Sequence, residues 1–237
     1  MVYLRGPMKL CLRAITLVVF LLAAAGVASA GSVTLTLNNG GNDAMGGVYV
    51  GQYGFTMSSG GGSPISLGLI CDDYNDDVTP GESWSANVTG MPLTPTTLAG
   101  LHFGSMGATD YLAAAWLAEQ IFALGPANAS NATTIGELQF ALWDIFTCTG
   151  GITSSTCASN MAGLGGDSMI ATDYNNAFAN GSSGNYSNLV IYTPTGNGQP
   201  QNTWPQEYFG TVPEPGSLLL LGTGFLALVV FRRKLSY

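Results

Sequence analysis

The chain has 237 residues, a formal net charge of −8 and only six lysines and arginines. All six lie near the ends, at Arg5, Lys9, Arg13, Arg232, Arg233 and Lys234, while every acid except Glu214 falls between residues 31 and 211. That acidic span has no cation to neutralise phosphates, no phosphate-loop lysine and no Schiff-base lysine, so nucleic-acid binding and those two chemistries are excluded.

The N-terminus is built as a secretory signal. Lys9 and Arg13 form a basic start, Ile15 to Val27 an apolar core, and Ala28-Ser29-Ala30 a small-residue cleavage site. Met8-Lys9 opens a more typical signal than Met1, so Met8 is the expected start. Residues 1–30 are thus read as an address. The span 31–211 is read as one extracellular domain, the size of an ordinary single domain.

The first part of that domain reads as β. Val33 to Leu37 alternates with period two, and Asn38-Asn39-Gly40-Gly41 follows as a turn. Val48 to Phe55 predicts a second strand, Ile65 to Cys71 a third, and Ser83 to Val88 a fourth after the Pro80-Gly81 turn. The middle reads as helix. Thr109-Asp110 is a candidate cap for a helix ending at Leu124, before Gly125-Pro126. Thr133-Thr134 with Glu137 has the spacing of a capping box for a second, which carries Ile135, Leu138, Leu142, Ile145 and Phe146 at helical spacing. Asp167 to Ala179 predicts a third helix and Asn188 to Thr193 a closing strand. Strands, then inserted helices, then a strand predict an α+β fold: a β-rich sandwich or barrel half with an inserted two- to three-helix subdomain.

The span 31–211 holds three cysteines, Cys71, Cys148 and Cys157. Export permits disulfides. Cys148 and Cys157 bracket a short Gly/Ser/Thr loop and are the natural pair, which leaves Cys71 odd. Three fates stand open for Cys71: burial as an inert core residue, pairing with a second chain, or chemical use. Gln139 shares a helix face with Ile135, Leu142, Trp143 and Phe146. An amide in such surroundings costs roughly 1–3 kcal/mol if unpaired, so it needs a partner, a backbone carbonyl or something more specific.

Leu69-Ile70-Cys71-Asp72-Asp73 followed downstream by Gln139-Phe140-Ala141-Leu142-Trp143 resembles the thioester domains of bacterial surface adhesins. The resemblance implies a bond between the Cys71 sulfur and the Gln139 side-chain carbonyl, flanked by Ala141 and Trp143, with Gln120 a looser match to a second family motif. It implies covalent capture of a surface or polysaccharide ligand bearing amine or hydroxyl groups. Leu138 departs from the Thr or Ser common before that glutamine.

Asp73, Asn75 and Asp77 have the alternate spacing of calcium-loop ligands, but Val78 and Trp84 occupy the glycine and bidentate-acid positions of an EF-hand. Two readings stand, a weak calcium site and a solvated turn; no other cofactor is expected. His102 is the only histidine. A two-histidine zinc site is excluded, and a hydrolase would need His102 beside Cys71 with no third group identifiable and no G-x-S-x-G elbow. The chain is expected not to be an enzyme.

The C-terminal span 212–237 has three parts in order. Val212-Pro213-Glu214-Pro215 is followed by an apolar run from Gly216 to Phe231 and then by Arg232-Arg233-Lys234. The run is at or just under the length that crosses a ~30 Å hydrocarbon core, and the basic cluster marks the cytoplasmic side. This tail resembles the PEP-CTERM sorting signal of Gram-negative bacteria. The resemblance implies an exosortase-type sorting partner, contact with a membrane through the apolar segment, and a place in the cell envelope, on the outer surface or in the extracellular matrix. A non-reactive structural matrix protein is the alternative to the covalent adhesin.

Overall fold

Strand β1, Ser32–Asn39, sets the pattern of the sheet. Val33, Leu35 and Leu37 are buried, while Ser32, Thr34 and Asn38 are exposed, as expected of a strand with one face on a core. The structure, a computed structural model, describes residues 31–41, 43–148, 151–195 and 205–212. The expected secretory signal, residues 1–30, and the expected sorting tail beyond Val212 lie outside the described residues.

Six strands close into a barrel in the order β1-β4-β5-β8-β7-β6. They are β1, β4 (Gln52–Ser58), β5 (Ile65–Cys71), β6 (Ser83–Gly90), β7 (Leu189–Pro194) and β8 (Tyr208–Thr211). Every pairing is antiparallel, and closure leaves the ring without an edge strand. A separate hairpin joins β2 (Asp43–Met45) to β3 (Val48–Val50). Inside the barrel the Phe55 ring lies 4.8 Å from Tyr208 and 5.7 Å from Trp84, and Tyr53 lies 5.7 Å from Tyr208, all edge-on. Such pairs fill the interior of a small barrel and add about 0.5–1.5 kcal/mol each beyond burial.

The helices are inserted between β6 and β7, which are themselves neighbours in the barrel. They are α1 (Pro95–Leu98), α2 (Ala108–Leu124), α3 (Ala132–Thr147), α4 (Ala158–Met161) and α5 (Ser168–Asn180). The long helices α2, α3 and α5 pack on one another. α3 is buried at nearly every position from Ile135 to Thr147. α2 meets β8 through the Tyr111 and Phe209 rings, 6.4 Å apart. The fold is therefore α+β, with a closed barrel as its β part.

Several local expectations are corrected. The strand expected over Val48 to Phe55 is broken at Gly51, whose φ of 86° turns the chain from the hairpin into β4. The turn expected at Asn38-Asn39 belongs to β1, which runs on to Asn39. Thr109 and Asp110 do not cap α2, whose N-cap is Gly107. The capping box at Thr134 and Glu137 does not form, because α3 starts earlier, from Asn131. The Asn131 side chain instead ties the connecting loop. It accepts from the Asn128 N–H at 2.7 Å and donates to the Leu124 carbonyl at 3.0 Å. Asp167 does cap α5, accepting from the Met169 N–H at 2.8 Å.

Gly51 combines a left-handed backbone with a tight contact, since a Cβ there would lie 2.8 Å from Ile135 Cγ2 of α3. Gly51→Ala is expected to lower the free energy of unfolding by about 1–3 kcal/mol, from the unfavourable φ together with the overlap. Denaturant titration of the variant against the wild-type chain measures it.

Candidate functional site at the barrel mouth

β4 and β5 pair Gln52 with Ile70, so the next step of the ladder would set Gly51 opposite Cys71. The ladder opens there, because Gly51 turns away. The Gln139 side chain of α3 fills the gap. Its Nε2 donates to the Cys71 carbonyl oxygen at 2.7 Å, and its Oε1 accepts from the Gly51 N–H at 3.3 Å. Gln139 and Cys71 are both fully buried. Two residues 68 apart in sequence thus meet at one mouth of the barrel, joined by the backbone oxygen of Cys71 and the amide of Gln139.

Cys71 pairs with the inward-facing Tyr208, so its thiol shares that face of the sheet. The thiol donates to the Asp73 carbonyl oxygen at 3.0 Å. Burial pushes the thiol pKa well up, and the nearby Asp73 and Asp72 add to the rise. The Trp143 indole turns toward the sulfur and offsets a little of it, although the alignment leaves its N–H without a hydrogen-bond partner. Ala141 and Trp143 are buried beside Gln139 on α3. Tyr74 packs over them, its ring 5.2 Å from Trp143 and 6.1 Å from Phe140. Cys148 and Cys157 form the expected disulfide, and Asp144 reinforces that join by accepting from the Ser159 N–H at 2.9 Å and the Ser159 hydroxyl at 2.6 Å.

Behind the mouth lies a group of buried acids: Asp72, Asp73, Asp76 and Glu207. Glu207, just before β8, accepts from the Tyr111 hydroxyl at 2.6 Å, from the His102 N–H at 3.0 Å and from the Thr193 hydroxyl. Burial raises the Asp72 carboxyl pKa well above the usual carboxylate range, and the neighbouring Glu207 and Asp73 add to the rise; neither of its carboxyl oxygens has a hydrogen-bond partner among the described residues. Asp73 Oδ1 accepts from the backbone N–H groups of Asn75 and Asp76, at 3.0 and 3.3 Å, which curls the chain into a tight turn. Gln206 pins that turn from the other side, donating to the Asp73 carbonyl at 2.9 Å and to the Asp76 carbonyl. Asn75 and Asp77, the other two residues with calcium-loop spacing, are exposed. The groups that converge with Asp73 are Asp76 and His102, whose potential ligand atoms all lie within 4.8 Å of one another.

His102 Nε2 lies 3.8 Å from Asp73 Oδ2. Gln120 is elsewhere, lining a shallow groove with Trp116, Glu119 and Asn188. Glu207, Gln206 and Gly51 were not singled out from sequence. The available signal was Glu207 itself: an acid set directly against the apolar pair Tyr208-Phe209, in a span without a cation, has to be buried with donors or protons around it.

At its end the domain runs straight into the tail. The Val212 N–H donates to the Asn188 carbonyl at 2.7 Å, one residue past β8. Residues 211–234 match the PEP-CTERM protein-sorting motif. The chain carries an exosortase sorting signal. A protein with this signal is exported in Gram-negative bacteria and handled by exosortase-type machinery, which makes it a cell-surface or extracellular protein. The match covers the tail alone. No curated protein and no solved structure matches the chain.

Two expectations follow from the mouth. Gln139→Ala leaves the Gly51 N–H and the Cys71 carbonyl without their partner, and each orphaned buried group costs about 1–3 kcal/mol. A loss of at least about 2 kcal/mol is expected in denaturant titration. The second concerns pH. Burial, and then Asp76 beside it, push the Asp73 carboxyl from 3.8 up to about 8. Between those values the folded chain holds a proton that the unfolded chain has released, so stability falls as pH rises. With chelator present, the melting temperature is expected to decline from about pH 4 to about pH 8. The decline should flatten in Asp73→Asn.

Proposed function

We propose that this is an exported, surface-anchored protein that captures its partner covalently, through an internal thioester between Cys71 and Gln139. The observation that carries the proposal is the contact between the buried Gln139 amide and Cys71. Bond formation joins Cys71 Sγ to Gln139 Cδ and breaks the Cδ–Nε2 bond, and the thiol proton leaves with the amide nitrogen as ammonia. An incoming amine or hydroxyl then attacks the Gln139 carbonyl, Cys71 leaves as thiolate and is reprotonated, and an amide or ester to the partner remains. Burial supports storage of such a bond in two ways. It keeps water from the carbonyl, and it disfavours the thiolate that premature cleavage would create. The absence of lysine from residues 31–211 removes the side-chain amines that would consume the bond within the chain or between copies.

On this proposal the chain is an adhesin and not an enzyme, because each copy reacts once. Its partner is a surface component or polysaccharide with amine or hydroxyl groups. The apolar tail holds it at the membrane until sorting.

A second reading is favoured by a specific observation. The Gln139 amide is already satisfied at both ends by the Gly51 N–H and the Cys71 carbonyl, which suits a structural plug in a non-reactive matrix protein.

Intact mass of the exported chain, before and after methylamine, separates the two. The thioester predicts a mass one ammonia below that expected after signal removal and disulfide formation, with methylamine gained and one thiol released on treatment. A mass showing only the disulfide loss, with Cys71 alkylatable after unfolding, removes the covalent proposal and leaves the structural one.

A further inference from the structure

We propose that Asp73, Asp76 and His102 bind one divalent first-row transition-metal ion, of the Zn²⁺ or Mn²⁺ class, beside the barrel mouth. The proposal does not rest on the thioester.

Three observations converge on it. Asp73 is fully buried, yet its Oδ2 has no hydrogen-bond partner. Its other oxygen is occupied by two backbone N–H groups, so Oδ2 is the atom left to point into the cluster. A buried carboxylate oxygen without a donor is costly, and here the group faces a second buried carboxylate, Asp76. Two such groups in contact cannot both ionise unless a proton or a cation lies between them.

The spacing fits a cation. His102 Nε2 stands 3.8 Å from Asp73 Oδ2, too far for a good hydrogen bond. Two ligands each ~2.1 Å from a common ion lie roughly 3.4 Å apart in tetrahedral geometry, so a small inward adjustment brings both into range. His102 is held for the task from behind, through its backbone N–H on Glu207. Its ring packs on Phe103 with centroids 4.5 Å apart. Its side chain is 20% exposed, which leaves a path for the ion and room for water at the remaining positions.

The donor set selects the metal class. Two carboxylate oxygens and one imidazole nitrogen suit Zn²⁺ or Mn²⁺. Calcium and magnesium prefer all-oxygen shells, and copper(I) prefers sulfur. No lysine or arginine between residues 31 and 211 competes for the two acids. The site differs from the calcium-loop pattern of Asp73, Asn75 and Asp77, since Asn75 and Asp77 are exposed and the histidine lies outside that loop.

The test uses the full exported chain, purified in detergent without a polyhistidine tag and stripped with chelator. ZnCl₂, MnCl₂ and CaCl₂ are titrated by calorimetry, with melting curves alongside. The expected result is one equivalent of Zn²⁺ or Mn²⁺ bound per chain, a raised melting temperature, and weaker binding of Ca²⁺. His102→Ala and Asp76→Asn should each weaken binding by at least about tenfold, the lower bound for disturbing even an outer partner of a metal site. Cys71→Ser should leave it unchanged. If Asp76→Asn does not fold, His102, which is only partly buried, still decides the question. No binding, binding undiminished in His102→Ala, Ca²⁺ preferred over the transition metals, or loss of binding in Cys71→Ser would each overturn the proposal. The last result would place the ion on the thiol. None of these outcomes depends on the mass of the Cys71–Gln139 pair.

Discussion

A domain with neither lysine nor arginine between residues 31 and 211 has to bury its acids without ion pairs to basic side chains, and the structure is organised around how it does so. Each buried carboxylate is handled differently. Glu207 is surrounded by donors from Tyr111, Thr193 and the His102 backbone. Asp144 takes two donors from Ser159. Asp72 has no donor on either carboxyl oxygen, and its burial favours the protonated acid. Asp73 spends one oxygen on a turn and leaves the other facing Asp76 and His102. Hydrogen-bond donors thus take the place of cations: those on Glu207, from Tyr111 and His102, tie the insertion to the start of β8, and those on Asp144 tie α3 to α4. Charge-assisted hydrogen bonds of this kind are the stronger ones, and their loss would leave a buried acid exposed to the full desolvation cost.

Much of the fold was legible because its signals are local. β5 runs from Ile65 to Cys71 as its apolar run indicates, and α5 starts after Asp167 because that side chain has free backbone N–H groups to accept from. What escaped was set by tertiary context. Val48 to Phe55 reads as one strand, but Gly51 must turn where α3 presses against it, so the segment splits between a hairpin and the barrel. β8, Tyr208–Thr211, is short and follows a polar stretch, so no strand was read there. The caps expected at Thr109-Asp110 and at Thr133-Thr134 failed because both helices start earlier, after Gly107 and Asn131. Asn131 was better used in holding the α2–α3 loop together than in capping its own helix, and no local pattern reveals which of two hydrogen bonds a side chain will make.

The site was legible in its chemistry and not in its membership. Gln139 was singled out because an amide on an apolar face requires a partner, and the partner includes Cys71. The acid run at residues 72 to 77 was also visible, but alternate spacing favoured Asn75 and Asp77. In the fold the Asp73 carboxylate bends the chain into a turn, which aims Asp76 inward and leaves Asn75 and Asp77 exposed. His102 lies far away in sequence, and Glu207 is 105 residues further on than His102. Only closure of the barrel between β5 and β8 brings them to one place.

That closure also explains why the helices can serve the site. β6 and β7 pair directly, so the barrel does not depend on the length of the segment joining them, and loop-closure cost grows only slowly with length. The insertion is therefore free to fold as its own helical layer and to lay Gln139, Trp143 and His102 over the ends of β4, β5 and β8. The same layer covers Cys71 completely. On the covalent reading, a partner reaches the Gln139 carbonyl only by displacing part of that cover, and Tyr74 with the turn beneath it is the thinnest part, half-buried where its neighbours Asp72 and Asp73 are fully enclosed. The turn is held by Gln206 and by the Asp73 carboxylate. The carboxyl cluster and the Cys71–Gln139 contact therefore flank one turn, and on the covalent reading whatever stabilises that turn, proton or cation, also keeps the mouth closed.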